Sequence, residues 1–178
     1  EAGRIELENI EFSLKQCLGE AARTLSLEAH EKGLELILDI PDDDNDLVVG
    51  DPTRLRQVAV NLLSNAIKFS PPGGCVSVEM SQIAGHVRTL VTDQGPGIPA
   101  AFHSQLFQRF AQADSGDSRR QSGTGLGLAI SKQLTEHMGG RIGYEPGPAG
   151  GSCFWVEFPI VEPAVDVCHA GVDSGGPQ

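Results

Sequence analysis

Residues 51–69 constrain the fold most strongly, because their apolar and polar side chains separate onto two faces of a helix. At about 100° per residue, one face of that helix would carry Leu55, Val58, Ala59, Leu62 and Ala66. A second face, spanning about 80°, would carry Gln57, Asn61, Asn65 and Lys68. Asp51 can cap the first turn, Pro52 suits the first helical position, and the Pro/Gly sequence at 70–74 ends the helix.

The polar face of this predicted helix carries amides, whereas a solvated helix face usually carries Glu, Lys and Arg. A solvated face is one interpretation of this helix taken alone. The other is a row of side chains turned into a cleft. An Asn offers a neutral carbonyl oxygen, which suits a hard cation such as Mg²⁺, and an amide that can donate to phosphate.

A glycine-rich loop at 93–98 follows a predicted strand. Gly95 and Gly97 allow a flat ligand to approach the backbone closely, and Asp93 can accept a hydrogen bond from an exocyclic amine. The loop also matches a dinucleotide-binding fingerprint. Pro96 and Pro99 argue against that motif, because they hinder the helix start that it needs.

A second glycine-rich loop, at 123–128, opens a predicted helix. The exposed N–H groups of a helix N-terminus suit phosphate oxygens, although no Lys follows as in a Walker A loop. The preceding residues 114–122 are rich in Gly and Ser and contain Arg119 and Arg120. Their composition predicts a mobile lid with a cationic tip.

The remaining pattern predicts one sheet. Strands are predicted at 4–12, 34–40, 47–49, 75–83, 86–92, 141–145 and 152–160. Helices are predicted at 13–32, 51–69 and 126–138, with a shorter helical region near 101–110. Leu34, Leu36, Leu38 and Ile40 alternate onto one face of their strand. This order predicts a two-layer α/β sandwich, with a mostly antiparallel mixed sheet, helices on one face and the other face free for water or a partner.

Charge and cysteine usage exclude several classes. The chain has 13 Lys and Arg against 24 Asp and Glu, a formal net charge of −11, so we expect it to bind neither nucleic acid nor a membrane directly. No apolar run approaches the ~18 residues of a membrane span, and residues 1–11 lack the apolar block of a signal peptide. The 4 cysteines and 5 histidines show no metal-ligand spacing, which favours reduced thiols and a cytoplasmic location.

Four segments stand in the order of the N, G1, F and G2 boxes of a known family. They are the sequences at 61–69, 93–97, 107–110 and 123–127. Together they resemble the ATP-binding catalytic domain of sensor histidine kinases, members of the GHKL superfamily that act in bacterial two-component signalling. The resemblance covers about residues 10–160. It implies that 1–9 end a linker from a dimerisation domain. Residues 161–178 contain Pro, Gly, Ser and Asp without periodicity, which predicts a disordered tail or linker.

The resemblance implies roles for individual residues. Asn61 would ligate Mg²⁺ on ATP, Asp93 would read the adenine amine, and Phe107 would anchor the lid. The residues implied in catalysis are Gln57, Asn61, Lys68, Arg119 and Arg120. The residues implied in nucleotide binding are Asn61, Asn65, Lys68, Asp93, Gly95, Gly97, Ile98, Phe110, Gly123, Thr124, Gly125, Leu126, Gly127 and Ser152, the last where the family usually has Thr.

Two departures from the family pattern bear on function. No histidine lies in a phosphoacceptor sequence, and His30 does not qualify. Gln57 stands where related ATPases carry the Glu that activates water, which favours a kinase over a hydrolase. The alternatives are a nucleotide-dependent binding module or pseudokinase, an anti-sigma-factor-like serine kinase, and a GHKL ATPase.

The kinase interpretation implies several partners. These are ATP or ADP, the dimerisation and histidine-phosphotransfer domain of the same kinase, and a response-regulator receiver domain. The fragment alone is expected to be monomeric and cytoplasmic, and the full-length protein could still be anchored in a membrane.

Overall fold

The computed structural model describes residues 6–42, 46–109 and 127–161. Its helices are α1 (Leu14–Glu31), α2 (Pro52–Phe69) and α3 (Gly127–His137), with a 3-10 helix at Ala100–Gln105. Its strands are β1 (Ile10–Ser13), β2 (Glu35–Asp39), β3 (Leu47–Gly50), β4 (Cys75–Ile83), β5 (His86–Thr92), β6 (Arg141–Pro146) and β7 (Ser152–Pro159). None of the described helices is both long enough and apolar enough to cross a bilayer.

The ends of α2 match the sequence prediction. Asp51 Oδ1 accepts hydrogen bonds from the N–H groups of Thr53 and Arg54 at 3.0 and 3.2 Å. These bonds satisfy donors that the first turn of a helix leaves unpaired, and Pro52 needs none. The buried face of the helix comprises Leu55, Val58, Ala59, Leu62, Leu63, Ala66 and Ile67. The predicted cap and apolar face are therefore confirmed.

The main sheet has five strands in the order β2, β4, β5, β7 and β6. β2 pairs with β4 in parallel, and the other three pairs are antiparallel. β1 and β3 form a separate antiparallel ribbon. The β4–β5 hairpin turns at Ala84 and Gly85, whose φ angles of 49° and 78° suit a two-residue turn. The predicted mixed and mostly antiparallel sheet is confirmed.

The helices pack on one face of this sheet. The buried strand residues that share a core with the helices are Val76, Val78, Met80, Val87, Val91, Phe154, Val156 and Phe158. On the opposite face, Arg88 forms ion pairs with Glu145 and Glu157 at 3.0 and 3.4 Å, and its guanidinium lies 4.5 Å from the Trp155 ring. The two faces thus give the predicted two-layer sandwich.

Three details differ from the sequence prediction. Leu38 is 44% exposed, because β2 is an edge strand with a neighbour on one side only. The first strand begins at Ile10, and residues 6–9 have no regular structure. The helical region near 101–110 is a short 3-10 helix.

Candidate functional site

Asp93 lies at the end of β5 and is buried, with 5% of its surface exposed. Its Oδ1 accepts hydrogen bonds from the N–H groups of Gly95 and Ser152 at 2.9 and 3.1 Å. No described residue donates to Oδ2. Burial raises the pKa of the Asp93 carboxyl above its ordinary value, although the two N–H donors oppose this effect. The side chain is therefore fixed through one oxygen, and the other oxygen accepts no hydrogen bond from the described residues.

Two glycines after Asp93 are required by the backbone. A Cβ atom on Gly95 would lie 2.7 Å from the Phe69 carbonyl oxygen. Gly97 has a φ of 75°, and a Cβ atom there would lie 2.6 Å from the Gly150 carbonyl oxygen. The loop can therefore pack closely against the end of α2 and the β6–β7 turn only if both positions lack a side chain.

Asn61 faces α3 from the middle of α2. Its Nδ2 lies 3.4 Å from the Gly127 carbonyl oxygen and 3.3 Å from Ser131 Oγ. A carbonyl oxygen only accepts hydrogen bonds, so the amide must turn its nitrogen toward α3. Consequently Asn61 Oδ1 receives no hydrogen bond from the described residues.

The other members of the predicted polar face are more open. Gln57 is exposed, and its Oε1 accepts a hydrogen bond of 3.4 Å from the Arg54 guanidinium one turn earlier. Asn65 and Lys68 are partly buried, and Lys68 Nζ lies 5.6 Å from the Phe69 ring centre. The three amide side chains and the Lys68 ammonium group therefore lie along one side of α2, outside the hydrophobic core.

The end of α2 meets the loop that follows Asp93. The N–H of Gln94 donates to Ser70 Oγ at 3.3 Å, and Gly95 packs against the Phe69 carbonyl group. The helix that carries the polar face therefore ends in contact with the loop that follows Asp93.

Two further contacts support α2 and the Asp93 loop. Lys32 Nζ donates to the carbonyl oxygens of Ile67 and Lys68, both at 2.7 Å, and so caps the last turn of α2. Gly151 lies so close to the Asp93 backbone that a Cβ atom would clash with its carbonyl oxygen. Sequence reasoning missed Lys32, which shows no signal beyond a basic residue at the end of α1, whereas residues 151–154 resemble a further glycine box of the family.

Several predicted site residues lie outside the described residues. They are Phe110, Arg119, Arg120, Gly123, Thr124, Gly125 and Leu126. Of the remaining predicted residues, Ile98 packs against the core, and Phe107 meets Phe154 edge to face at 6.3 Å.

The oxygen ligands available on α2 suit a metal ion that is bound jointly by the protein and a ligand. The described residues contain no group of three His, Cys, Asp or Glu side chains that could hold a metal. Mg²⁺ usually keeps several waters and takes one or two protein oxygens beside phosphate oxygens. The carbonyl oxygen of Asn61 is a neutral, hard ligand of that kind.

Similarity to known proteins decides the family. Residues 50–162 match the family model of histidine kinase-, DNA gyrase B-, and HSP90-like ATPases. The chain belongs to this family. The matched residues run from the cap of α2 to the end of β7 and include both Asn61 and Asp93.

Several proteins that are similar to this chain are histidine kinases. Signal transduction histidine-protein kinase BarA of Escherichia coli strain K12 is 45% identical over 159 residues, which are 87% of this chain and 17% of BarA. Full-length ShkA in complex with AMPPNP is 34% identical with a TM-score of 0.77, over 91% of this chain and 33% of ShkA. Histidine kinase ThkA in complex with response regulator protein TrrA is 26% identical with a TM-score of 0.72, over 87% of this chain and 42% of ThkA. The predicted sensor histidine kinase ATP-binding domain and its fold are confirmed.

Proposed function

We propose that this ATPase-family chain binds Mg·ATP and donates the γ-phosphoryl group to a histidine on a separate dimerisation domain, for relay to an aspartate of a response regulator. One observation carries the proposal. Asp93 is buried and fixed through Oδ1, and its Oδ2 has no donor among the described residues. Such an acceptor at the end of a polar helix face suits a nucleotide whose base carries an amine.

Asp93 would select the base. The 6-amino group of adenine can donate to Oδ2, whereas guanine presents a carbonyl oxygen at the same position. Two acceptors would then face each other without a proton between them, which is costly in a buried site. Discrimination by such a hydrogen-bonding site can reach ~10⁴-fold.

The polar face of α2 would receive the phosphates. Asn61 Oδ1 would hold the metal, while Asn65 and Lys68 would contact phosphate oxygens. Mg²⁺ bound there would neutralise charge on the phosphates during transfer. Arg119 or Arg120 and the glycine-rich segment at 123–127 are proposed to reach the same phosphates from the lid.

Gln57 favours transfer to histidine over hydrolysis. Its amide cannot take a proton at neutral pH, and the Arg54 guanidinium already donates to its oxygen. Water needs a base to become a good nucleophile, whereas a neutral imidazole attacks with its own lone pair. The chain can therefore act mainly by positioning and charge neutralisation.

The relatives support the proposed partners. ShkA was solved with AMPPNP, and ThkA with the response regulator TrrA. By analogy we propose ATP or ADP, the kinase's own dimerisation domain and a receiver domain as partners of this chain.

Titration calorimetry with Mg·ATP, Mg·ADP and Mg·GTP tests the nucleotide site. We expect both adenine nucleotides to bind and GTP to bind at least ~10²-fold more weakly. A GTP affinity within about tenfold of the ATP affinity would overturn the role of Asp93.

A further inference from the structure

One histidine contacts the loop that follows Asp93. His103 lies in the 3-10 helix after the Asp93 loop and is partly buried. Its Nε2 lies 2.8 Å from the carbonyl oxygen of Ile98. Because a carbonyl oxygen can only accept, Nε2 must carry the proton and donate.

The ring of His103 is held by aromatic neighbours. Its centre lies 4.7 Å from that of Tyr144 in β6, tilted by 59°. Tyr144 in turn lies 5.3 Å from Phe154 in β7, and Phe154 meets Phe107 at 6.3 Å. The ring that donates to Ile98 therefore packs against the edge of the sheet.

Several contacts hold the segment from 95 to 99 in place. Asp93 Oδ1 accepts from the N–H of Gly95, and Gly97 packs against the Gly150 carbonyl group. At the far end of the segment, the N–H of Phe102 donates to the Pro99 carbonyl oxygen at 2.9 Å, and His103 adds a side-chain bond to Ile98.

We propose that His103 is a positioning residue for nucleotide binding, which holds the turn at Gly97 and Ile98 against the sheet so that the base meets a preformed wall. The role of the turn as a base wall rests on the function proposed above. Without the His103 bond the turn opens more often, and a ligand must close it on binding. The apparent affinity then falls by the fraction of molecules that are closed.

Two substitutions separate the hydrogen bond from the packing of the ring. His103→Phe keeps an aromatic ring beside Tyr144 and removes the donor. His103→Gln supplies an amide donor of similar reach. His30→Phe, at an exposed position of α1, is the control for the same chemical change elsewhere.

Amide hydrogen exchange of the nucleotide-free protein tests the contact directly. A neutral hydrogen bond stabilises by about 1 kcal/mol, so His103→Phe is expected to speed exchange in residues 95–102 about fivefold. His103→Gln should restore most of the protection, and His30→Phe should change nothing there. Exchange at the wild-type rate in His103→Phe would overturn the proposal.

Calorimetry with ADP tests the consequence for binding. His103→Phe is expected to raise the Kd for ADP up to about fivefold, with His103→Gln closer to wild type. A fall in overall stability alone would lower the melting temperature without this pattern of rescue. If wild type binds ADP and His103→Phe binds it equally well, the positioning role is wrong. If wild type binds no adenine nucleotide, the proposed function fails, while the exchange result still decides whether His103 holds the turn.

Discussion

The two ends of the candidate site are built in different ways. At the base end, Asp93 is 5% exposed and fixed by two backbone N–H groups, and glycines let the surrounding backbone close around it. At the phosphate end, Gln57 is exposed, and Asn61 keeps an oxygen without a described donor. The base end is therefore organised without a ligand, whereas under the proposed function the phosphate end would be completed by phosphates and a metal.

The largest expected effect follows from replacing the acceptor at the base end. Asp93→Asn turns one oxygen into an amide nitrogen, which faces the amine of adenine as donor against donor. We expect the Kd for Mg·ATP to rise by about 10²-fold or more, and the preference over GTP to shrink. Calorimetry measures both.

The control for this variant is Asp39→Asn, which removes a carboxylate at an exposed position of β2. It should bind ATP as wild type does. A Kd within about threefold of wild type for Asp93→Asn would mean that the buried carboxylate does not read the base.

The second-largest expected effect distinguishes the phosphate end of the site from the base end. Asn61→Ala removes the proposed metal ligand and leaves the Asp93 contacts intact. We expect phosphoryl transfer to fall by at least ~10²-fold, the scale of losing one electrostatic stabiliser, while ATP binding falls far less. Quench-flow transfer and calorimetry should be compared with Gln16→Ala on α1. Normal transfer by Asn61→Ala would show that this face of α2 is only solvated.

A smaller expected effect concerns the cap of α2, the helix that carries the phosphate end. Asp51 caps α2 and also accepts the N–H of Glu8 at 3.2 Å. Asp51→Ala should lower the free energy of unfolding by about 1–2 kcal/mol in denaturant titrations, and Asp51→Asn by much less. AMP binding should stay close to wild type, because the Asp93 loop is held by its own contacts. Equal stability of the two variants would contradict the capping role.

The smallest effect is a pH dependence at the base end. Because the folded state raises the pKa of Asp93 above its ordinary value of 3.8, the ionised carboxylate opposes folding at neutral pH. Its favourable contribution is present below the unfolded pKa and is lost as the pH rises through the folded pKa. Asp93→Asn does not titrate, so its melting temperature relative to wild type should rise between pH 4 and pH 7. A constant or falling difference would contradict this sign.

The sequence predicted α2, and it indicated Asn61 and Asp93 as candidate site residues, because these signals are local. The helix has a cap, an initial Pro, a periodic apolar face and a Pro/Gly stop within residues 51–74. Asp93 and Asn61 stand within short segments that resemble family boxes. The sheet followed from the order of strands and helices and from a clear two-residue hairpin.

The contacts that the sequence could not predict join residues far apart in the chain. The choice of Oδ1 for the Asp93 donors depends on Ser152, and the cap at the end of α2 depends on Lys32. The edge position of β2 and its parallel pairing with β4 depend on the order of the strands in the sheet, which no local pattern encodes. The role of His103 could not be predicted either, because its hydrogen bond exists only once the turn at Ile98 has formed.

Phosphoryl transfer from radiolabelled ATP tests the central claim most directly. The chain is mixed with the dimerisation domain of its own kinase, carrying either the phosphoacceptor histidine or a Gln in its place. We expect an acid-labile, base-stable label on the histidine form only, no label on the isolated chain, and very slow ATP hydrolysis by the chain alone. Absence of label on the histidine form, or ATP turnover by the isolated chain at several per second, would contradict the kinase function.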